Sequence, residues 1–187
     1  MRILAADIGG TNSRFAQVDI NGPSSLSMSE PLVFPTWSES VESFEQLLDM
    51  YSSQRPAGSP DIGEFDALSV AIAGAVNGQR ATLPNIPWDI DLSVSRRVKN
   101  TFLLNDFFAQ AHGFMDPHGF DRMHMVRPGS ALSPGSIAIV GAGTGLGHAA
   151  LKPWKGERIV VTSEGGHATF AFRGKNERDI EQAMLAR

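Results

Sequence analysis

The 187-residue chain has no cysteine, and none of its apolar runs approaches the ~20 residues that a membrane-spanning helix requires. The lack of cysteine excludes a disulfide framework and a thiolate zinc site, and it fits a reducing compartment. The first residues also lack a signal peptide, because Asp7 interrupts them before an apolar segment forms. We therefore expect a cytoplasmic protein without a membrane partner.

Clusters of basic residues are also lacking. The formal net charge is -4, and Lys and Arg are scattered along the chain. A protein that binds the phosphate backbone of a nucleic acid needs a concentrated basic face. We therefore expect no nucleic-acid partner. With 42% hydrophobic and 19% charged residues, the chain is long enough for one globular domain or two small ones.

The first glycine motif is Asp7-Ile8-Gly9-Gly10-Thr11-Asn12-Ser13-Arg14. It joins a predicted buried strand, Ile3–Ala6, to a predicted antiparallel strand, Arg14–Ile20. Two adjacent glycines allow backbone N–H groups to approach a polyphosphate, while Asp7 can hold a hydrated Mg²⁺ and Thr11 can donate its hydroxyl. The alternative is an ordinary Gly-Gly hairpin without a ligand.

Three further strands are predicted from apolar runs that end in glycine or polar residues: Ala67–Ala73, Thr101–Leu104 and Ile137–Val140. A helix is predicted to begin at Ser40, with one apolar face made by Val41, Phe44, Leu47, Leu48 and Tyr51. Sheets of this α/β kind bind ligands at strand ends. We therefore expect Asp7, Asp106 and the segment Gly141–Gly147 to converge on one cleft.

The second glycine motif is Gly141-Ala142-Gly143-Thr144-Gly145-Leu146-Gly147. The strand-like residues Leu146–Leu151 follow it, so the motif is neither a dinucleotide fingerprint, which opens a helix, nor a Walker loop, which continues with Gly-Lys. It predicts a hairpin that contacts phosphate from the other side through Gly143, Thr144 and Gly145. The alternative is a hairpin whose glycines only permit close packing.

Asn105-Asp106 follows the third predicted strand and precedes a predicted helix, Phe107–Ala111. Asp106 is either the N-cap of that helix or a general base for a hydroxyl that attacks a γ-phosphate. In the second case Asn105 would hold a neighbouring hydroxyl.

Ser163-Glu164-Gly165-Gly166-His167 places a carboxylate and an imidazole around two flexible residues, which suits a polyhydroxylated ligand such as a sugar. The alternative is a solvated pair on a loop, and the pair is too poor in ligands for a metal site. Asn85 and Trp88 are further candidates for the sugar, although Trp88, beside two prolines, is also expected to pack in the core.

A run rich in helix breakers, from Met115 to Gly135, predicts a hinge or boundary. We place the lobes at residues 1–112 and 113–187. No internal repeat or low-complexity tract is present.

Taken together, these motifs resemble the bacterial glucokinase family, whose fold is a ribonuclease H-like, actin-like ATPase and sugar kinase α/β fold with a mixed sheet. The resemblance runs from Ile3 to about Leu185 and implies an ATP-dependent kinase that phosphorylates the 6-hydroxyl of glucose. It implies that Asp106 is the base and that Asn105, Glu164 and His167 bind glucose hydroxyls. It also implies that Mg-ATP is bound by the two glycine motifs: Asp7, Gly9, Gly10, Thr11, Asn12, Gly143, Thr144 and Gly145.

Family members continue beyond this point with further sugar and adenosine motifs, whereas Arg187 falls within a predicted helix, Asn176–Arg187. We therefore expect an N-terminal portion with the beginning of a second lobe. A non-catalytic sugar-binding protein and an actin-like structural ATPase remain alternatives. The identity of the hexose, the phosphate donor and a homodimeric state are left open by the sequence.

Overall fold

A computed structural model describes residues 1–22, 25–39, 41–83, 86–116, 123–130, 134–142, 145–168 and 171–186, with only the backbone of residue 167. Four residues singled out in the sequence lie outside these ranges: Ser40, Asn85, Gly143 and Thr144.

The main sheet is mixed, and its strands are β1 (Arg2–Ile8), β2 (Asn12–Gly22), β3 (Ser25–Met28), β4 (Leu32–Pro35), β5 (Ala67–Ile72) and β9 (Thr101–Asn105). They follow the order β3-β2-β1-β5-β9, with β4 also paired to β2. β1 and β2 are antiparallel, which confirms the predicted hairpin through Gly9 and Gly10. β1, β5 and β9 are parallel, so their carboxyl ends lie at one edge.

One face of this sheet carries the main core. Alternate side chains of β1, from Leu4, Ala6 and Ile8, are buried against helix α1 (Phe44–Gln54). The helix buries the predicted stripe, but it begins later than predicted, because Ser43 is its N-cap and accepts a 3.3 Å hydrogen bond from the Gln46 N–H. Val41 is buried ahead of the helix rather than within it.

A second sheet is an antiparallel meander of β10 (Ile137–Ala142), β11 (Leu146–Trp154) and β12 (Glu157–Ser163). It confirms the predicted hairpin between Ile137–Val140 and Leu146–Leu151. Helix α2 (Asp106–Gly113) packs on one face of this meander, where it forms a small second core with Ala111, Ile139, Ala149 and Leu151. The last strand leads into a 3-10 turn, Gly165–His167.

The remaining elements are small. β6 (Ala75–Asn77), β7 (Arg80–Thr82) and β8 (Ile90–Asp91) form a three-stranded sheet between β5 and β9 in the chain. Helix α3 (Gly174–Leu185) lies two residues earlier than predicted at each end, and it buries none of its described side chains. No helix within the described ranges combines the length and apolarity that crossing a membrane demands. The boundary between residues 112 and 113 stays a prediction.

Candidate active site

The site is built at the edge where the parallel strands β1, β5 and β9 end. The register places Ile8 beside Ile72 and Ile72 beside Asn105, so the residues next to these three positions in the chain lie side by side at this edge. Asp7 and Asp106 are therefore brought to the same edge, as predicted.

The Gly9–Gly10 turn is fixed by hydrogen bonds from the end of β4. The Thr36 hydroxyl donates to the Gly9 carbonyl at 2.6 Å and lies 2.8 Å from the buried Ser13 hydroxyl. Because Thr36 has one hydroxyl proton, Ser13 is the donor in the second bond. The Thr36 N–H also donates to the Thr11 carbonyl at 3.0 Å. The turn is thus held in one shape before any ligand binds.

Asp7 has an accessible carboxylate in front of this turn. Its side chain is 54% exposed, and its nearest cation is the Arg14 guanidinium, whose Nη1 lies 3.5 Å from Oδ2. Within the described part of the chain, no three His, Cys, Asp or Glu side chains gather around a common point. Mg²⁺ commonly binds through one or two carboxylates together with substrate phosphates and water, so Asp7 fits such a site.

Asn105, rather than Asp106, caps helix α2. Its Oδ1 accepts hydrogen bonds from the Phe107 and Phe108 N–H groups at 3.0 and 3.1 Å. Its Nδ2 donates to the Gly74 carbonyl at 3.2 Å and so ties the end of β9 to the segment after β5. The interpretation of Asp106 as an N-cap is therefore wrong by one residue, because the preceding amide already occupies that position.

Asp106 is the first residue of α2, and its carboxylate lies half-buried beside two other acidic groups. Burial raises the pKa of the Asp106 carboxyl above its ordinary value, and the negative charges of Asp7 and Glu164 raise it further. The hydrogen bond that its Oδ1 accepts from the Phe107 N–H, at 2.8 Å, lowers the pKa in part. The carboxylate is therefore a stronger base than an exposed aspartate.

A cleft of about 410 Å³ lies between the main sheet and the meander. The main-sheet side contributes Gly74, Asn105 and residues next to them, while the meander contributes Thr162 and Glu164. The structure thus brings Glu164 to the same cleft as Asn105. The backbone of His167 follows in the 3-10 turn.

The two outer glycines of the second motif make room for Phe107. A Cβ atom on Gly147 would lie 1.9 Å from the Phe107 ring, and one on Gly141 would lie 2.7 Å from it. At these two positions the packing alternative is confirmed. At Gly145, none of the described residues lies within 4 Å of such an atom, so this position is open with respect to them.

Steric contacts also explain the presence of glycine at both positions of the Glu-Gly-Gly-His segment. A Cβ atom on Gly166 would lie 1.7 Å from the Leu146 carbonyl oxygen, and one on Gly165 would lie 2.8 Å from Nε2 of His148. The Gly165 N–H donates to the Ser163 hydroxyl at 3.1 Å. The turn is therefore seated directly on the start of β11.

Sequence reasoning missed the supporting residues Thr36, Ser13 and Arg14. Thr36 lies far along the chain from the turn that it supports, so no local pattern marks it. The signal for Arg14 was present, because a cation that faces Asp7 across the predicted hairpin is its direct cross-strand neighbour.

Solved structures show which fold this is. A glucokinase from an Antarctic psychrotroph matches with a TM-score of 0.71 and 26% identity, over 99% of this chain and 56% of that one. A glucokinase from Balamuthia mandrillaris, solved in complex with glucose, matches with a TM-score of 0.70 and 19% identity, over 98% of this chain and 54% of that one. The fold is the actin-like ATPase fold of sugar kinases, as predicted.

Sequence comparison then identifies the family. The model of the family described as Glucokinase matches residues 4–187. The glucokinase of Zymomonas mobilis subsp. mobilis is 35% identical over 193 residues, which cover 100% of this chain and 56% of that protein. The glucokinase of Caulobacter vibrioides is 31% identical over 98% of this chain and 54% of that protein. The chain belongs to the glucokinase family, and it spans about half the length of these relatives.

Proposed function

We propose that this chain contributes the phosphoryl-transfer base and part of the sugar site of an ATP-dependent glucokinase. The observation that carries the proposal is Asp106, a half-buried carboxylate at a strand edge whose pKa is raised by burial and by the charges of Asp7 and Glu164. Family membership supports the reaction class. The reaction would be the entry step of glycolysis.

Asp106 would accept the proton of the 6-hydroxyl while that oxygen forms a bond to the γ-phosphorus and the bond from this phosphorus to the β–γ bridging oxygen breaks. The products are glucose 6-phosphate and ADP, with the proton on the Asp106 carboxylate. The N–H groups of the turn, at Gly10, Thr11 and Asn12, would hold phosphate oxygens together with the loop at Gly143, Thr144 and Gly145. Mg²⁺, held by Asp7, would neutralise phosphate charge when bound.

The sugar would lie in the 410 Å³ cleft. Glu164 is suited to accept hydrogen bonds from two sugar hydroxyls. Both lone pairs of Asn105 Oδ1 are already used by α2, so Asn105 would act as a donor through the second hydrogen of Nδ2. His167 and Asn85 are assigned to the sugar by the family resemblance.

We include two further points in the same proposal: a cytoplasmic location, and a hexose as the only organic partner besides the nucleotide. The support is the composition, which has no cysteine and no basic cluster. A homodimer stays a prediction.

The test measures ADP release with Mg-ATP, with and without glucose, for the wild-type chain and for Asp106→Asn. Removal of a general base is expected to lower the glucose-dependent rate by about 100-fold to 10,000-fold. Glu157→Gln, at the opposite end of β12 from Ser163, removes a carboxylate away from the cleft and should leave the rate unchanged.

Glucose binding in a calorimeter separates this proposal from the alternatives. A folded wild-type chain that binds glucose without releasing ADP would contradict the kinase proposal for this chain and favour a non-catalytic sugar-binding protein. ADP release that does not depend on glucose would favour an actin-like ATPase.

A further inference from the structure

His148 lies directly beneath the Gly165 turn. It pairs across the meander with Val140 on β10 and with Ser163 on β12. An ideal Cβ atom on Gly165 would lie 2.8 Å from His148 Nε2 and 2.9 Å from its Cε1. The edge of the imidazole ring is therefore in contact range of the backbone that follows Glu164.

The other ring nitrogen has no function that the described structure reveals. His148 Nδ1 is buried and has no hydrogen-bond partner among the described residues. A buried nitrogen without a partner lowers stability, whereas an aliphatic side chain at a strand position such as this avoids that cost. The contact of this ring with the turn is made by its Nε2 and Cε1 edge, which faces Gly165.

The side chain also lies on the face of the meander opposite α2. Strand residues alternate between faces, and the neighbours Gly147 and Ala149 face Phe107 and the second core. His148 is thus not part of the packing between α2 and the meander. Its substitution can change the turn without disturbing Phe107 or Asp106.

The turn is supported by the backbone and by two side chains: the Ser163 hydroxyl accepts a 3.1 Å hydrogen bond from the Gly165 N–H, and the His148 ring lies against Gly165. Gly166 rests against the carbonyl oxygen of Leu146, which every residue type retains. Gly165 rests against the His148 ring, which only this residue provides. We infer that His148 is a positioning residue for the hexose site: its ring edge contacts Gly165, fixes the distance of the turn from β11 and thereby holds Glu164 at the cleft.

This inference rests on the proposed function for its sugar readout, so the experiment has a second readout that does not need sugar. Amide hydrogen exchange of the segment Glu164–Ala168 reports on the turn in the ligand-free chain, and calorimetry with glucose reports on the site. The variants are His148→Val, which keeps a strand-forming side chain without nitrogen, and His148→Gln, whose Nε2 can occupy the place of the imidazole Nε2. Lys152→Gln, on the same face of β11 but away from the turn, is the control.

In His148→Val, we expect exchange of the Gly165 amide to accelerate and the glucose Kd to rise, each by about fourfold, the effect of losing one packing contact of about the size of a methylene group. His148→Gln should restore both to within about twofold of the wild type. Exchange in β10 and β11 should not change in either variant, which separates positioning from general destabilisation.

Unchanged exchange of Glu164–Ala168 in a folded His148→Val protein would overturn the inference. Equal losses in His148→Val and His148→Gln would also overturn it, because the Nε2 edge would then have no special part. If the wild-type chain itself binds no glucose, the proposed function fails, while the exchange experiment still decides whether His148 positions the turn.

Discussion

The two glycine-bearing hairpins reach Asp106 in different ways. In the hairpin of β1 and β2, the turn is fixed by polar contacts, above all by the buried hydroxyls of Thr36 and Ser13. In the hairpin of β10 and β11, the ring of Phe107 packs against the two outer glycines, Gly141 and Gly147. The first hairpin influences Asp106 through the charge of Asp7. The second contacts Phe107, which follows Asp106 in the chain.

This difference shows that similar sequence motifs have different physical requirements. In the first motif the space around Gly9 is tight, since a Cβ atom there would lie 3.1 Å from the Asn12 carbonyl oxygen. The second motif requires glycine at Gly141 and Gly147 for aromatic packing, while Gly145 is open. A substitution at an outer glycine is therefore a test of packing, and one at the inner positions is a test of ligand binding.

The largest effect is expected for Gly147→Ala. The added methyl group would overlap the Phe107 ring, and overpacking of this kind costs about 1–3 kcal/mol or more. The free energy of unfolding in urea measures the loss. Gly145→Ala is the matched control and should have little effect on stability, because no atom in the described part of the chain lies within 4 Å of the added methyl group. Equal stability of the two variants would show that Phe107 does not fix this hairpin.

Thr36→Val is expected to have the next largest effect, on the first hairpin. Valine has nearly the same shape but leaves the Ser13 hydroxyl and the Gly9 carbonyl without their partner, which costs about 1–3 kcal/mol when the groups are buried. Thermal unfolding measures the change. Thr82→Val, at an exposed position on β7, is the control. If both variants melt at the wild-type temperature, polar contacts do not hold the turn.

The smallest effect is electrostatic and concerns Asp7→Asn. Loss of this negative charge should lower the pKa of Asp106, because Asp7 is one of the causes that raise it. The pKa of Asp106 in the folded protein lies above its value in the unfolded chain. Stability therefore declines as the pH rises from the unfolded pKa to the folded pKa, and the Asp7→Asn substitution narrows this pH interval. Carboxyl NMR titration of Asp106 follows the change directly. Glu157→Gln should leave the titration unaltered, and an unshifted Asp106 in Asp7→Asn would contradict the charge coupling.

The sequence was sufficient to predict the elements that depend on local patterns. The hairpin through Gly9 and Gly10, the buried strand beginning at Ala67 and the hairpin after Ile137 follow from apolar runs and turn residues, and all are present. The convergence of Asp7 and Asp106 was also predictable, because parallel strands share their carboxyl edge.

Other features depend on contacts between distant segments, and local patterns do not contain them. The sequence predicts that α1 begins at Ser40, which can cap a helix, and only the structure shows that Ser43 is the N-cap. The sequence leaves Asp106 open as the cap of α2 or as a general base, whereas in the structure the cap is Asn105, whose Nδ2 donates to the Gly74 carbonyl thirty-one residues earlier. The support of Gly9 by Thr36 is of the same kind.

The parallel pairing of β1, β5 and β9 has a consequence for the entropy of the chain. The hairpins and the meander connect residues that are close in sequence, whereas β1 pairs Ile3 with Ala67, and β5 pairs Leu68 with Thr101. Closing a longer loop removes more conformational freedom from the unfolded chain. The edge that gathers Asp7, Gly74 and Asp106 therefore carries the largest loop-closure cost among the described strand pairs. Burial of apolar side chains on the face of the sheet that packs against α1, at Leu4, Val70 and Leu103, offsets this cost.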